Sequence, residues 1–345
     1  MIRSGLNCFA LAAWLAFVPA LHSAVTNAAP DFREVYQLVL SNLTGVTGAD
    51  LDRAALNGLL AGMDGRVLLE DTPSAAATNQ VLISRVGLLD KEVGYVRVNR
   101  VAEGLASELA SAVRGLNSTN VLKGLVLDLR FAAGSDFAAA AAAADLFVVR
   151  ERPLLDWGAG SARARSKADA LTLPLAVLVN HDTAGAAEAL AAVLREAGVG
   201  LLLGDTTAGR AMVMQEFTLK DGQRLRVATR LVKLGDGVEL SVRGVAPDIR
   251  VAVDAADERA WFENPYVVPG QTNATAGAEP VVQESQRPRP SEADLVRERQ
   301  EELNHSAPVQ PPKPPPPPKQ LIHDPVLARA VDLIKALALV REGRG

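Results

Sequence analysis

The sequence predicts an α/β domain built on parallel strands, and three observations carry that prediction. Leu175–Val179 and Val199–Leu203 are short, continuous apolar runs, the pattern of strands buried on both faces. Between them, Ala186–Ala197 carries Leu190, Val193 and Leu194 at helical spacing, and Gly198 stands where a helix C-terminal glycine is expected. Strand, helix and strand make a βαβ unit with a right-handed crossover. The same order recurs upstream. Val93–Val98 (VGYVRV) is a strand, Glu103–Leu116 a helix with Leu105, Leu109 and Val113 inward, and Lys123–Arg130 (KGLVLDLR) a buried strand. The loop 131–136 and an alanine-rich helix through Val148 follow.

The chain of 345 residues is 48% hydrophobic and 22% charged, enough for one large domain or two small ones. A net charge of −4 gives no reason to expect nucleic acid as a partner. The single cysteine, Cys8, lies in an N-terminal apolar segment, so disulfides, thiol catalysis and thiolate metal sites are excluded from the rest. The histidines are scattered and support no metal site, and no cofactor motif is present.

The remaining elements follow in order. Residues 1–29 read as a secretory signal: Arg3, an apolar core over Phe9–Leu21, then small residues around Ala24–Ala29. The chain is therefore expected to be exported, to the periplasm or cell envelope; an uncleaved anchor is the alternative. Residues 30–70 read as helical, with Phe32, Val35, Leu38 and Val39 on one face and a second amphipathic stretch over Leu51–Met63. Asp71–Asn79 is a loop. Val81–Val86 and Val93–Val98 read as strands separated by the turn segment Gly87–Glu92. After Arg210 the pattern becomes alternating, with a hairpin turn at Lys220–Gln223, so an antiparallel extension follows the parallel core. A last strand is expected over Ile249–Val253. Residues 71–262 make up the α/β domain. Residues 263–320 are polar and proline-rich, ending in PPKPPPPPK, and read as a disordered linker. A C-terminal helix closes the chain within 321–345, with Leu327, Val331 and Ile334 on one face.

In this order, VGYVRV, KGLVLDLR with a small-residue loop, LPLAVLVN with a small-residue turn and Ala-Glu, GD-TT-AGR, DG and RGVAPDI resemble the carboxyl-terminal processing (tail-specific) serine peptidases. The resemblance covers roughly Asp31 to Val253 and the terminal helix. It implies a crotonase-like (ClpP/crotonase-type) core. It also implies a site in which a serine attacks, a lysine acts as base, a glutamine orients the lysine, and backbone N–H groups hold the oxyanion. Aligned on Asn180 and Glu188, the serine position is Gly185, the lysine position Arg210 and the glutamine position Met214, with Gln215 adjacent. Gly134-Ser135 stands at the oxyanion loop. About 30 residues between Met63 and VGYVRV leave no room for the family's usual PDZ insert.

Glycine has no side chain to attack with, and arginine stays protonated and cannot serve as a base. The expectation is a catalytically inert relative whose backbone groove, formed by Gly134, Ser135, Gly185, Ala186 and Arg210, still binds peptide. Its ligand would be an unstructured polypeptide or protein C-terminus, or a related peptidase; a homo-oligomer is also admitted. The alternative is an active endopeptidase with a relocated nucleophile, Thr183 or Ser135. Thr183 reads first as a helix N-cap, and Ser135 has no evident base beside it. His181-Asp182-Thr183 is too local for a triad. Arg210 either binds a peptide carboxylate or fills the lysine site as an ion pair. Asp128 and Arg130 read as structural charges satisfying one another, and Glu188 as a packing or dipole-complementing residue.

Overall fold

In the computed structural model, the described residues are 29–70, 81–268 and 321–342. The expected signal segment (1–28 of it), the whole Asp71–Asn79 loop and nearly all of the proline-rich linker lie outside them. The chain divides into two units, with the boundary after Gly62.

The first unit holds α1 (Phe32–Asn42) and α2 (Gly48–Gly62). Asp31 caps α1, its carboxylate accepting the Arg33 N–H at 2.9 Å, and Tyr36 donates its hydroxyl to Asp52. No residue of either helix is buried. The helical expectation for 30–70 needs correction at its end, because β1 (Val67–Glu70) is a strand of the second unit. Four residues of mixed polarity give no strand period of their own. Their register against residues 224–227 fixes them.

The second unit continues with β2 (Ile83–Leu89), β3 (Val93–Val98), β4 (Arg100–Val101), α3 (Leu105–Thr119), β5 (Gly124–Asp128), β6 (Ala133–Gly134), α4 (Phe137–Asp145), β7 (Arg152–Asp156) and β8 (Ser161–Ala164). Then come β9 (Leu175–Val179), α5 (Ala186–Glu196), β10 (Gly200–Gly204), β11 (Met212–Thr218), β12 (Arg224–Leu231), β13 (Lys233–Leu234), β14 (Ile249–Arg250), α6 (Ala255–Glu263) and α7 (Pro325–Glu342). The central sheet runs β14-β10-β9-β5-β3-β2. Every neighbouring pair is parallel except the β2–β3 hairpin. A separate antiparallel sheet, β1-β12-β11, is the expected extension. The small sheet β13-β7-β8 and helix α6 carried no clear sequence signal: β7 contains a proline and α6 is short and charged.

Side chains alternate across the strands, so the two faces of β5 and β9 bury different partners. Leu125, Leu127, Val177 and Val179 pack with Leu105, Leu109, Leu190 and Leu194 of α3 and α5. Val126, Ala176 and Leu178 pack under α7, against Val326, Leu327, Ala330, Val331 and Ile334. The terminal helix thus covers its own core, a point the sequence left open. Each such valine, leucine or isoleucine side chain contributes about 1.5–3 kcal/mol when fully buried. The helix is N-capped by Asp324, whose Oδ1 accepts from Val326 and Leu327 N–H at 3.0 and 3.1 Å. Pro265 O accepts from both His323 and Asp324 N–H, so the chain returns at 323 to the point it left at 265.

Candidate functional site

The candidate residues lie on the turns that leave the C-terminal ends of β5, β9 and β10. Asn180, at the end of β9, organises the first two. Its Oδ1 accepts from the N–H groups of Phe131, Asp182 and Thr183 at 3.0–3.2 Å, and its amide donates to Glu258 Oε2 at 3.1 Å. Phe131 is held at φ 59°, a left-handed conformation unusual for an aromatic residue. Its ring packs edge-on against Phe262 at 4.7 Å, with the Arg259 guanidinium 4.0 Å above it.

Below this turn lies a buried charge network. Arg130 grips Asp128 through Nε and Nη2 at 3.0 and 2.8 Å, and Nη2 also lies 2.8 Å from Asp324. Tyr95 donates to Asp128 at 2.7 Å and accepts from Arg97 at 2.9 Å. Burial alone would raise the Asp128 carboxyl, but Arg130 and Tyr95 outweigh it and hold the group below its usual range. Burial first, and the Asp128 charge next, push the Tyr95 phenol upward. Asp128 and Arg130 are therefore framework charges.

Thr183 is wholly buried. Its hydroxyl donates to Leu129 O at 2.9 Å and accepts the Asn180 N–H at 3.0 Å. It is neither the helix cap nor an exposed hydroxyl, because the turn needs it to join β5 to β9. The N-cap of α5 is Gly185, at φ 62° and ψ −121°. A Cβ built on Gly185 would run into the carbonyl oxygen of Gly134. Gly134 thus turns its carbonyl, not its N–H, toward Gly185. Ala186 is the first residue of α5 and fully buried.

Glu188 does more than its sequence position suggested. It is 1% exposed. Oε2 accepts the N–H of Gly185 at 3.1 Å and of Arg210 at 2.6 Å. Oε1 accepts the Gly209 N–H at 2.7 Å and the Thr207 hydroxyl at 2.5 Å. Burial raises this carboxyl, and the four donors pull the other way. Thr207 Oγ1 in turn accepts the Val245 N–H at 2.8 Å. One carboxylate therefore ties the head of α5 to the 207–210 turn and, through Thr207, to the 245 loop. The backbone of Arg210 is consequently fixed, whereas its side chain is exposed, lies beside Gly65, and makes no ion pair among the described residues.

Ser135 and Met214 share a cavity of about 610 Å³ between the N-terminus of α4, Trp157 and the β1-β12-β11 sheet. Neither lysine nor histidine lines it, and its carboxylates are Glu70, Asp136 and Glu216. Met214 sits where β11 has a register shift, and Gln215 is not among the lining residues. His181 and Asp182 lie 3.5 Å apart on the surface, separate from the buried Thr183 hydroxyl. Among the described residues, no three histidine, cysteine or acidic side chains converge as metal ligands.

The structure brings Gly134, Gly185, Ala186 and the Arg210 backbone together, with Ser135 and Met214 on the adjoining cavity. Sequence reasoning missed Glu258, Asp324 and the charged wall of the cavity. Each belongs to a segment remote in sequence from its partner, and none lies in a local motif.

Comparison with known proteins agrees with this geometry. Residues 92–251 match the model of Peptidase family S41. The C-terminal processing peptidase, chloroplastic, of Tetradesmus obliquus is 31% identical over 169 residues, covering 48% of this chain and 36% of that protein. The carboxy-terminal processing protease CtpA of Bacillus subtilis is 26% identical over 228 residues, covering 62% of this chain and 48% of that protein. The chain thus spans half or less of these relatives' length. A crystal structure of a putative peptidase from Parabacteroides merdae superposes with a TM-score of 0.51 at 18% identity, over 69% of this chain and 87% of that one. That likeness concerns the fold, a crotonase-like core. Through residues 92–251, this chain is similar to peptidase family S41.

Proposed function

We propose that this S41 homologue is an exported pseudopeptidase, which binds an unstructured polypeptide without hydrolysing it. The observation that carries the reading is at Gly185. The family resemblance puts the attacking serine there, yet this residue has no side chain and the Gly134 carbonyl fills the space a Cβ would need. At the position of the base stands Arg210, and a guanidinium offers only donors and no acceptor for a proton. The substitute nucleophiles fare no better, since Thr183 is sealed in the turn and Ser135 shares its cavity with no lysine or histidine, only with carboxylates already engaged by Arg224, Arg226 and the Ala139 N–H. The peptide-binding half of the reading rests on the cavity beside these turns and on the exposed Arg210 guanidinium. Export rests on the N-terminal segment alone.

The test is reaction of the purified protein with a fluorescent fluorophosphonate, run beside cleavage of an unstructured protein and binding of a labelled peptide. The expected result is peptide binding with neither labelling nor cleavage. Stoichiometric labelling that disappears in Ser135→Ala would show a rebuilt active site and overturn the proposal.

A further inference from the structure

Three loop segments adjoin at the 207–210 turn, and each carries an arginine: Arg66, Arg210 and Arg243. A Cβ built on Gly65 would meet the Arg210 side chain, and one built on Gly209 would meet Val242 O and Gly244 N. All three arginines are exposed, and their backbones are pinned. Glu188 accepts the Arg210 N–H at 2.6 Å, and Ser241 Oγ accepts the Arg243 N–H at 3.0 Å. Arg66 donates its N–H to Met63 O at 2.9 Å, and its carbonyl accepts the Ala228 N–H at 2.7 Å.

No carboxylate answers these guanidiniums. None of the three makes an ion pair among the described residues. Arg66 gives its Nε to Met63 O at 3.1 Å, which leaves both Nη groups to fork a ligand. The acids on neighbouring segments are engaged elsewhere. Glu239 lies 3.4 Å from Lys233, Asp205 lies 3.1 Å from Arg250, and Asp236 accepts the Val238 N–H at 2.9 Å. Asp64, next to Gly65, is the one carboxylate on these three segments. A local excess of two positive charges therefore stands on a chain whose net charge is −4. Met63 and Val242, beside two of the arginines, are exposed apolar side chains.

Three like charges held close by fixed backbones repel one another, and anions relieve that repulsion. A guanidinium fork matches a carboxylate bidentately, and a pinned backbone lowers the cost of ordering the site. The size of the excess decides between partners. Two surplus charges suit a few carboxylates, whereas a nucleic acid, with a charge on every phosphate, would be repelled by the net-negative chain around the patch. We infer that the surface formed by Arg66, Arg210 and Arg243 binds a stretch of polypeptide rich in Asp or Glu. The inference rests on the peptide-binding reading above and adds the class of polypeptide recognised.

The test uses rhodamine-labelled, C-terminally amidated Gly/Ser peptides carrying either several glutamates or the same number of glutamines, with affinity read by fluorescence anisotropy. At low ionic strength the glutamate peptide should bind the wild-type protein about tenfold more tightly, and about 1 M salt should erase that preference. Arg66→Gln, Arg210→Gln and Arg243→Gln should each weaken the glutamate peptide about twofold, and together should abolish the preference. Lysine at all three positions keeps the charge and should restore most of it, which separates lost charge from lost fold. Equal binding of the two peptides, or a preference that survives the triple glutamine variant, would overturn the inference and leave the pseudopeptidase reading intact. A labelled oligothymidylate bound more tightly than the glutamate peptide would show that phosphate is read, and would overturn it equally. Absence of binding by either peptide would remove both.

Discussion

At the C-terminal edge of the sheet, two neighbouring regions use charged and polar side chains in opposite ways. Inward, Asp128, Asn180, Thr183 and Glu188 spend their oxygens on turns that join β5, β9, α5 and the 207–210 segment. Outward, Ser135 and Arg210 are exposed. Desolvating a polar group is costly unless it is paired. Side chains with internal partners are therefore framework, and those with an open valence are where a ligand can gain affinity. Thr183 and Ser135, both candidate nucleophiles by sequence, fall on opposite sides of that line.

The comparison can be broken most severely at Asp324. Alanine there strips the α7 cap and leaves the buried Arg130 guanidinium without one of its two carboxylates. A loss of about 3–5 kcal/mol in urea unfolding is expected; a loss below about 1 kcal/mol would mean that the inner network is not framework at all. Next in size is Gly185→Ser, which restores the family's residue type. Its Cβ meets the Gly134 carbonyl and its φ of 62° strains any side chain. We expect about 2 kcal/mol of destabilisation and no fluorophosphonate labelling, with or without Arg210→Lys. Labelling by the double variant would show that the loop opens readily and that only the side chains were lost.

Glu188→Gln comes third. Four donors face this carboxylate, and an amide nitrogen cannot accept. About 1–3 kcal/mol should be lost, and peptide affinity should fall because the 207–210 turn is released from α5. Unchanged affinity would separate that turn from the binding site.

The smallest effect is one of pH, at Glu258. Burial raises this carboxyl in the folded state. Such a group contributes stability that is fully present below its ordinary value near 4.5 and is lost as pH rises through the elevated folded value. The stability of the wild type relative to Glu258→Gln should therefore decline from acid toward neutral pH, by under about 1 kcal/mol. A relative stability that grows with pH would place the charged carboxylate, not the protonated one, in the favoured state.

Much of this architecture was legible in local pattern. LAVLV and KGLVLDLR read as doubly buried strands because both of their faces are covered, so apolar residues fill every position. The amphipathic stripe of α7 was equally plain. What escaped were elements whose identity is set by a partner. β1 is a strand through its register with β12, and α6 brings Glu258, 78 residues on in the sequence, to Asn180 and Phe262 to Phe131.

The sequence by itself determined the βαβ order, the parallel sheet and the absence of both a serine at 185 and a lysine at 210, because these are properties of residue type and spacing. Tertiary structure alone decided which hydroxyls are accessible, where α7 docks, and that the Gly134 carbonyl closes on Gly185. Those depend on how separate turns pack, and no local period encodes the distance between segments that meet only after folding.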